Sequence, residues 1–227
     1  MDENREKILE LKDINKHYGD KIKIEVLKGI ELTFYTGEFA AIIGKSGSGK
    51  TTLLNIIGNL DIPTSGKIYY LGKDISTYTS DERAKFRNEN IGFVFQFHFL
   101  LPEFTVLENI LIPNWIKNEE TDFSLKEEAL KLLRYGELEG LENRYIWELS
   151  GGQQQRVAII RSLINKPNIV LADEPTGNLD SESAKNIYKL LREINKEYKT
   201  TFIIVTHDKE VAKFCDRVIE IKDGKIS

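Results

Sequence analysis

The stretch that most constrains this chain is Gly44-Lys45-Ser46-Gly47-Ser48-Gly49-Lys50-Thr51. It matches the pattern G-x-x-x-x-G-K-[ST] of a phosphate-cradling loop. An apolar run, Phe39–Ile43, precedes it, and a helix-like run, Lys50–Gly58, follows. Phosphates need several N–H donors converging in a tight arc, and glycines at 44, 47 and 49 let the backbone bend that far. The N-terminus of the following helix adds partial positive charge. Lys50 reaches the β- and γ-phosphates as a point charge, and the Thr51 hydroxyl suits Mg²⁺, a hard cation that takes oxygen ligands. A buried strand feeding such a loop and helix implies an α/β fold with a largely parallel sheet.

A second apolar run, Ile169-Val170-Leu171-Ala172, ends in Asp173-Glu174. Many strands end in solvated acids, so the pair acquires meaning only beside the phosphate loop. There, Asp173 suits a Mg²⁺ held through water, and Glu174 suits the polarisation of an attacking water. Phosphoryl transfer asks mainly for positioning and charge neutralisation, so a metal, a lysine and a water-orienting carboxylate form a minimal set.

The rest of the chain fits this frame. Ile8–Ile14, Val26–Phe34 and Lys67–Tyr70 have the pattern of strands in a mixed or antiparallel edge region. From about Asn88 to Leu163 the texture changes, with the aromatic cluster Phe93, Phe95, Phe97 and Phe99 and helix-like stretches at Ser124–Tyr135 and Gly151–Ile164. This middle third is expected to be a helical lobe inserted into the α/β core. Strand–helix alternation then returns: Ile169–Asp173, helix Ser181–Tyr198, Thr201–Thr206 and a short strand Arg217–Ile221.

Composition narrows the function. The 227 residues carry a formal net charge of −4, which argues against a nucleic-acid partner bound through bulk positive charge. Cys215 is the single cysteine, which excludes a disulfide within the chain, fits a cytosolic setting, and is expected to be a small buried residue. The charged N-terminus lacks the apolar region of a secretory signal, and no window approaches the roughly 18 apolar residues of a membrane span. Any membrane role is expected to come through a partner.

Leu149-Ser150-Gly151-Gly152-Gln153 resembles the signature of ABC ATPases, which other phosphate-loop enzymes lack. Its physics repeats that of the first loop: a serine and glycines at a helix start, with Ser150 also suited to cap that helix. Tyr18 resembles the aromatic residue that stacks on adenine, Gln96 the glutamine that contacts Mg²⁺ or water and faces the membrane partner. Gly177-Asn178-Leu179-Asp180 resembles the D-loop of that family, and His207 the switch histidine at the γ-phosphate. Asn59–Gly66, Gln96–Thr105 and Ala172–Asp180 resemble the branch containing the lipoprotein-releasing ATPase LolD, the exporter ATPase MacB and the division-linked ATPase FtsE, and Gln96-Phe97-His98-Phe99-Leu100-Leu101-Pro102 leans toward the first. Gln154, Ile160 and Ser162 depart from that branch's usual residues and leave the exact member open.

The resemblance implies one nucleotide-binding domain over residues 1–227: a phosphate-loop NTPase of RecA-like core with an antiparallel β edge region (residues 1–87 and 165–227) and an inserted helical signature subdomain (88–164). It implies ATP and Mg²⁺ as ligands. ATP would be held by Tyr18, Gly44, Lys45, Ser46, Gly47, Ser48, Gly49, Lys50, Thr51 and Thr52, and the metal by Thr51, Gln96 and Asp173. Glu174 and His207 would be catalytic. Ser150, Gly151, Gly152 and Gln153 would touch ATP bound to a second copy, and Asp180 would be the D-loop residue. It further implies a homodimer when ATP is bound, an integral membrane permease docking near the Gln96 loop, and residence at the cytoplasmic face of the cell's inner membrane. The aromatic run from Phe95 to Phe104 is either core or a groove for that permease, and His98 has no second metal ligand near it in sequence. An ATPase that signals to cell-wall enzymes and a soluble ABC ATPase acting on ribosomes or DNA are the alternatives; the single domain and the lack of coiled-coil or zinc insertions disfavour the latter. A small-molecule kinase leaves the signature without a role.

Overall fold

The structure is a computed structural model and describes residues 5–19, 22–117 and 123–227, so Met1–Asn4 of the charged N-terminal stretch lie outside the described residues. Its elements run β1 (Lys7–Tyr18), β2 (Ile24–Tyr35), β3 (Phe39–Ile43), α1 (Lys50–Ile57), β4 (Ser65–Tyr70), β5 (Lys73–Asp74), α2 (Ser80–Asn90) and β6 (Ile91–Phe95). Then come α3 (Val106–Lys117), α4 (Phe123–Tyr135), α5 (Gly151–Leu163), β7 (Ile169–Asp173), α6 (Ser181–Tyr198), β8 (Thr201–Thr206), β9 (Arg217–Lys222) and β10 (Lys225–Ile226). Strands β2-β1-β4-β5 make an antiparallel sheet. The other sheet has the order β10-β9-β3-β8-β7-β6, parallel except for the terminal hairpin.

The period-2 alternation of the central strands explains the layering. Ala40, Ile42, Ile169, Leu171, Ile203 and Val205 point to one face, where α1 and the antiparallel sheet bury them. Phe39, Ala41, Val170, Ala172, Phe202 and Ile204 point to the other, against α6 and the helices of the middle third. Strands covered on both faces read as continuous apolar runs, which is why β3, β7 and β8 are legible in the sequence.

One boundary differs from expectation. The helical lobe was expected from about residue 88, but Ile91–Phe95 is the edge strand β6, paired in parallel with Ile169–Asp173. Gly92 explains the misreading: it interrupts the apolar run, and it is glycine because a Cβ there would lie 2.3 Å from the Ser162 carbonyl oxygen of α5. The α2 and α3 helices were also unanticipated, the second carrying Pro113 in its interior. Ile160 is fully buried, and Gly136 faces it at close range, so a glycine makes the space that the larger side chain takes. Cys215 is half-buried, and burial pushes its thiol up to about 12. Among the described residues no helix is long and apolar enough to cross a membrane.

Candidate active site

The parallel sheet aims β3, β7 and β8 at one edge, and the site is built where they end. The loop after β3 curls around the Lys50 side chain, whose ammonium donates to the carbonyls of Gly44 (2.8 Å) and Lys45 (2.9 Å). Lys50 is buried, and its third proton is unspent in those bonds. Gly49 holds the helix entry at φ 103°, and a Cβ there would press on Val26 and Leu27 of β2. The Ser48 hydroxyl is buried with no partner among the described residues. These residues form one wall of an open cleft of about 730 Å³, lined by Val26, Ser46, Gly47, Gly49, Lys50, Thr51 and Thr52 and, across from them, Glu174 and His207.

Asp173, at the end of β7, lies 3.5 Å from the Thr51 hydroxyl. Burial and the adjacent Glu174 charge push its carboxyl upward, only partly offset by Thr51 and Lys50. Two oxygens and an excess of negative charge there match Mg²⁺, which is commonly held by one or two protein oxygens plus phosphates. Among the described residues no cluster of three or more His, Cys, Asp or Glu forms a self-sufficient metal cage.

Glu174 has a left-handed backbone, φ 46°. Its Oε2 accepts from the Thr206 hydroxyl (2.9 Å), and its Oε1 is bonded to the His207 amide (3.1 Å) and lies 2.9 Å from His207 Nδ1. A carboxylate offers about four acceptor positions, so one on Oε2 remains.

Other expected residues lie around this centre. The Tyr18 hydroxyl donates to Asp61 (2.7 Å), with Lys16 donating to Asp61 (2.7 Å) and lying 4.7 Å from the ring centre. Burial and Asp61 raise that phenol's pKa. Gln96 follows the strand partner of Asp173, but its amide nitrogen donates to Asn178 (3.1 Å), whose own amide returns a bond to the Gln96 carbonyl (3.1 Å). A Cβ at Gly177 would meet that glutamine amide at 2.8 Å, so glycine permits the contact. Asp180 caps α6, accepting from Glu182, Ser183 N and the Ser183 hydroxyl, and the hydroxyl bond first of all lowers its pKa.

Ser150 caps α5: its hydroxyl accepts from Gln153 N (3.3 Å), and Gln153 returns a bond to Ser150 N (2.9 Å). The cap uses the hydroxyl as acceptor, so its proton is left to donate. Ser150–Gln153 do not line the phosphate-loop cleft, and open space surrounds Gly151 and Gly152. Within one chain the two phosphate-suited helix starts are therefore not brought together.

Past Gln96 the aromatic run divides. Phe93 and Phe95 stack at 5.6 Å and are half-buried, whereas Phe97 and Phe99 are 71% and 61% exposed. Arg161 of α5 clamps the left-handed pair His98 and Phe99 by donating to both carbonyls at 2.6 Å. Asp61, Thr206 and Val26 were given no site role in the sequence, and Asn178 was read only as one position of the Gly177–Asp180 loop; Thr206, one residue before His207, also had a local signal.

Comparison with known proteins agrees with this geometry. The ABC transporter family profile matches residues 27–177. The chain is 45% identical over 225 residues to the lipoprotein-releasing system ATP-binding protein LolD of Shewanella frigidimarina, covering 99% of this chain and 94% of that protein. Among solved structures it is similar to a dimeric bacterial ABC transporter cassette, with 44% identity, a TM-score of 0.88 and 97% of both chains covered. A dimeric post-hydrolysis cassette bound to ADP and phosphate matches at 43% identity, TM-score 0.88 and 97% coverage of each chain.

Proposed function

The chain belongs to the ABC transporter family as an ATP-binding and ATP-hydrolysing subunit, and from that premise we propose that it works as one half of an ATP-closed homodimer driving a lipoprotein-releasing permease. The observation that carries the dimer is the separation within one chain of two anion-suited helix starts, the loop before α1 and Ser150–Gln153 before α5. A second copy turned head to tail brings the signature of one onto the phosphates held by the other.

In this reading ATP lies in the cleft with its phosphates on the loop N–H groups from Gly44 to Thr52. Lys50 gives its third proton to them, Ser48 gives its buried hydroxyl, and Tyr18, steadied by Asp61, stacks on adenine. Thr51 and Asp173 hold Mg²⁺, with the Gln96 amide oxygen available because Asn178 engages the nitrogen. The metal supplies charge neutralisation for the phosphates. Glu174 accepts a hydrogen bond from the attacking water at its remaining Oε2 position, which orients the oxygen toward phosphorus. His207, bonded to Glu174 through Nδ1, offers Nε2 to the γ-phosphate. ATP then joins the two copies because only the closed pair supplies both sets of donors, a population shift driven by differential affinity.

In this reading the exposed Phe97 and Phe99 beside Gln96 form the docking surface for the permease, and the chain sits at the cytoplasmic face of the membrane through that partner. Glu174→Gln is expected to reduce ATP turnover at least a hundredfold while leaving ATP affinity within about twofold, read by phosphate release and calorimetry. Retained turnover removes Glu174 from its role. Purification from membranes tests the partner: an integral subunit that co-purifies and releases lipoprotein on ATP addition supports the assignment, and failure to release with that subunit present refutes the cargo.

A further inference from the structure

Glu174 follows β7 directly, and β8 runs beside β7 in parallel with Val205 opposite Asp173. The Glu174 amide donates to the Val205 carbonyl (2.8 Å), which carries the pairing one residue past the strand. The left-handed φ of 46° at Glu174 costs free energy in a residue with a side chain and persists only where the surroundings enforce it. The end of β8, having fixed this backbone, also grips the carboxylate.

Thr206 is the last residue of β8 and is fully buried. Its hydroxyl oxygen lies 2.9 Å from Glu174 Oε2 and 3.0 Å from Asp208 N. An amide N–H only donates, so the hydroxyl accepts there, and its single proton is left for the ionised carboxylate, which only accepts. One hydroxyl therefore ties the turn through His207 to the Glu174 side chain. The other carboxylate oxygen, Oε1, meets the His207 amide at 3.1 Å and His207 Nδ1 at 2.9 Å. The two side chains that hold the carboxylate differ in freedom. The His207 side chain is 73% exposed, whereas Thr206 is a β-branched residue packed on all sides, with a stiff χ1. The threonine is the fixed donor of the pair.

We propose that Thr206 is a positioning residue for ATP hydrolysis, its hydroxyl holding the Glu174 carboxylate in place at the wall of the cleft. The proposal rests on Glu174 orienting the attacking water, as in the function proposed above. Glu174 lines the phosphate-loop cleft and Thr206 does not, so Thr206 acts on turnover and not on nucleotide binding.

The test is steady-state ATP hydrolysis by the purified chain carrying Thr206→Val or Thr206→Ser, with ATP affinity measured by calorimetry alongside. Thr206→Val keeps the branched shape and removes the hydroxyl; it is expected to lower kcat on the order of tenfold with KM for ATP within about twofold. Thr206→Ser keeps the hydroxyl and removes a methyl, and its kcat is expected to stay within about threefold of the parent chain. Two residues acting through one group are not additive, so adding Thr206→Val to Glu174→Gln is expected to slow a single turnover by no more than about a further twofold. An unchanged kcat in Thr206→Val overturns the proposal. So does a Thr206→Ser chain as slow as Thr206→Val, which makes the effect one of packing, or a tenfold loss repeated in full in the Glu174→Gln background. If Thr206→Val fails to fold, Thr206→Ala removes the same hydroxyl and carries the same expectation and the same overturning results. Glu174→Gln alone separates the two levels: retained turnover there removes the premise, whatever Thr206 does.

Discussion

Lys50 shows how a single side chain can organise a loop before any ligand is considered. Its ammonium is bonded to the Gly44 and Lys45 carbonyls, so the loop closes around the charge to which the proposed function assigns phosphate. Lys50→Ala removes both the cation and the loop's internal brace. It is expected to weaken ATP binding by roughly 1.5–3 kcal/mol, about ten- to a hundredfold, as measured by calorimetry. Undiminished affinity contradicts the assigned role. Lys50, Thr51, Asp173 and Glu174 were legible in the sequence because each sits in a local pattern whose spacing is dictated by one strand end. Asp61 and Tyr188 were not. Asp61 reaches Tyr18 across 43 residues of chain, and Tyr188 is an ordinary aromatic on the buried stripe of α6 until the Thr176 hydroxyl is folded against its own. Asn178 was read as one letter of a loop motif, whereas its partner Gln96 is 82 residues away. Polar contacts between distant segments leave no periodicity behind them.

At the scale of elements, the strands and helices whose two faces or single stripe are apolar were legible, and those defined by a neighbour's backbone were not. The β6 strand is the instructive case, since its central Gly92 looks like a break until α5 is seen lying against it. Gly92→Ala is expected to destabilise the fold by about 1–3 kcal/mol, because a Cβ would meet backbone that cannot rotate away. Thermal or denaturant unfolding measures it, and an unchanged midpoint contradicts the close approach. The junction of β3, β9 and α6 makes a second prediction. Asp216 accepts from Phe39 N (3.1 Å), Arg192 (2.5 Å) and Arg5 (3.5 Å). Burial pushes its carboxyl up, but those donors outweigh burial and hold it below the ordinary range. A depressed carboxylate contributes stability that is fully present above its unfolded pKa of about 3.9 and lost as the pH falls through the lower folded value. Asp216→Asn is therefore expected to be less stable than the parent chain at pH 7, with the gap closing below about pH 4. A gap independent of pH contradicts this origin.

At the scale of the whole molecule, the proposed function has one chain hold two halves of different sites. The phosphate-loop cleft carries Lys50, Thr51, Glu174 and His207, and the capped start of α5 carries Ser150 to Gln153 on the helical side, outside that cleft. Packing between the two faces of the parallel sheet fixes where each half lies, and the Gln96–Asn178 pair and the Arg161 clamp tie both halves to the exposed Phe97 and Phe99. Completion of the site by a second copy is the central claim, and Gly152 offers a clean way to test it. A Cβ there would meet nothing within 4 Å outside its own helix turn, so Gly152→Asp is expected to leave the fold intact while placing a negative charge where the account puts another copy's phosphates. The measurement is the mass in solution, by sedimentation equilibrium with ATP and Mg²⁺, of Glu174→Gln beside Glu174→Gln/Gly152→Asp. The predicted result is a dimer for the first and an ATP-bound monomer for the second. A Glu174→Gln chain that stays monomeric with ATP bound, or a double variant that dimerises equally well, contradicts it.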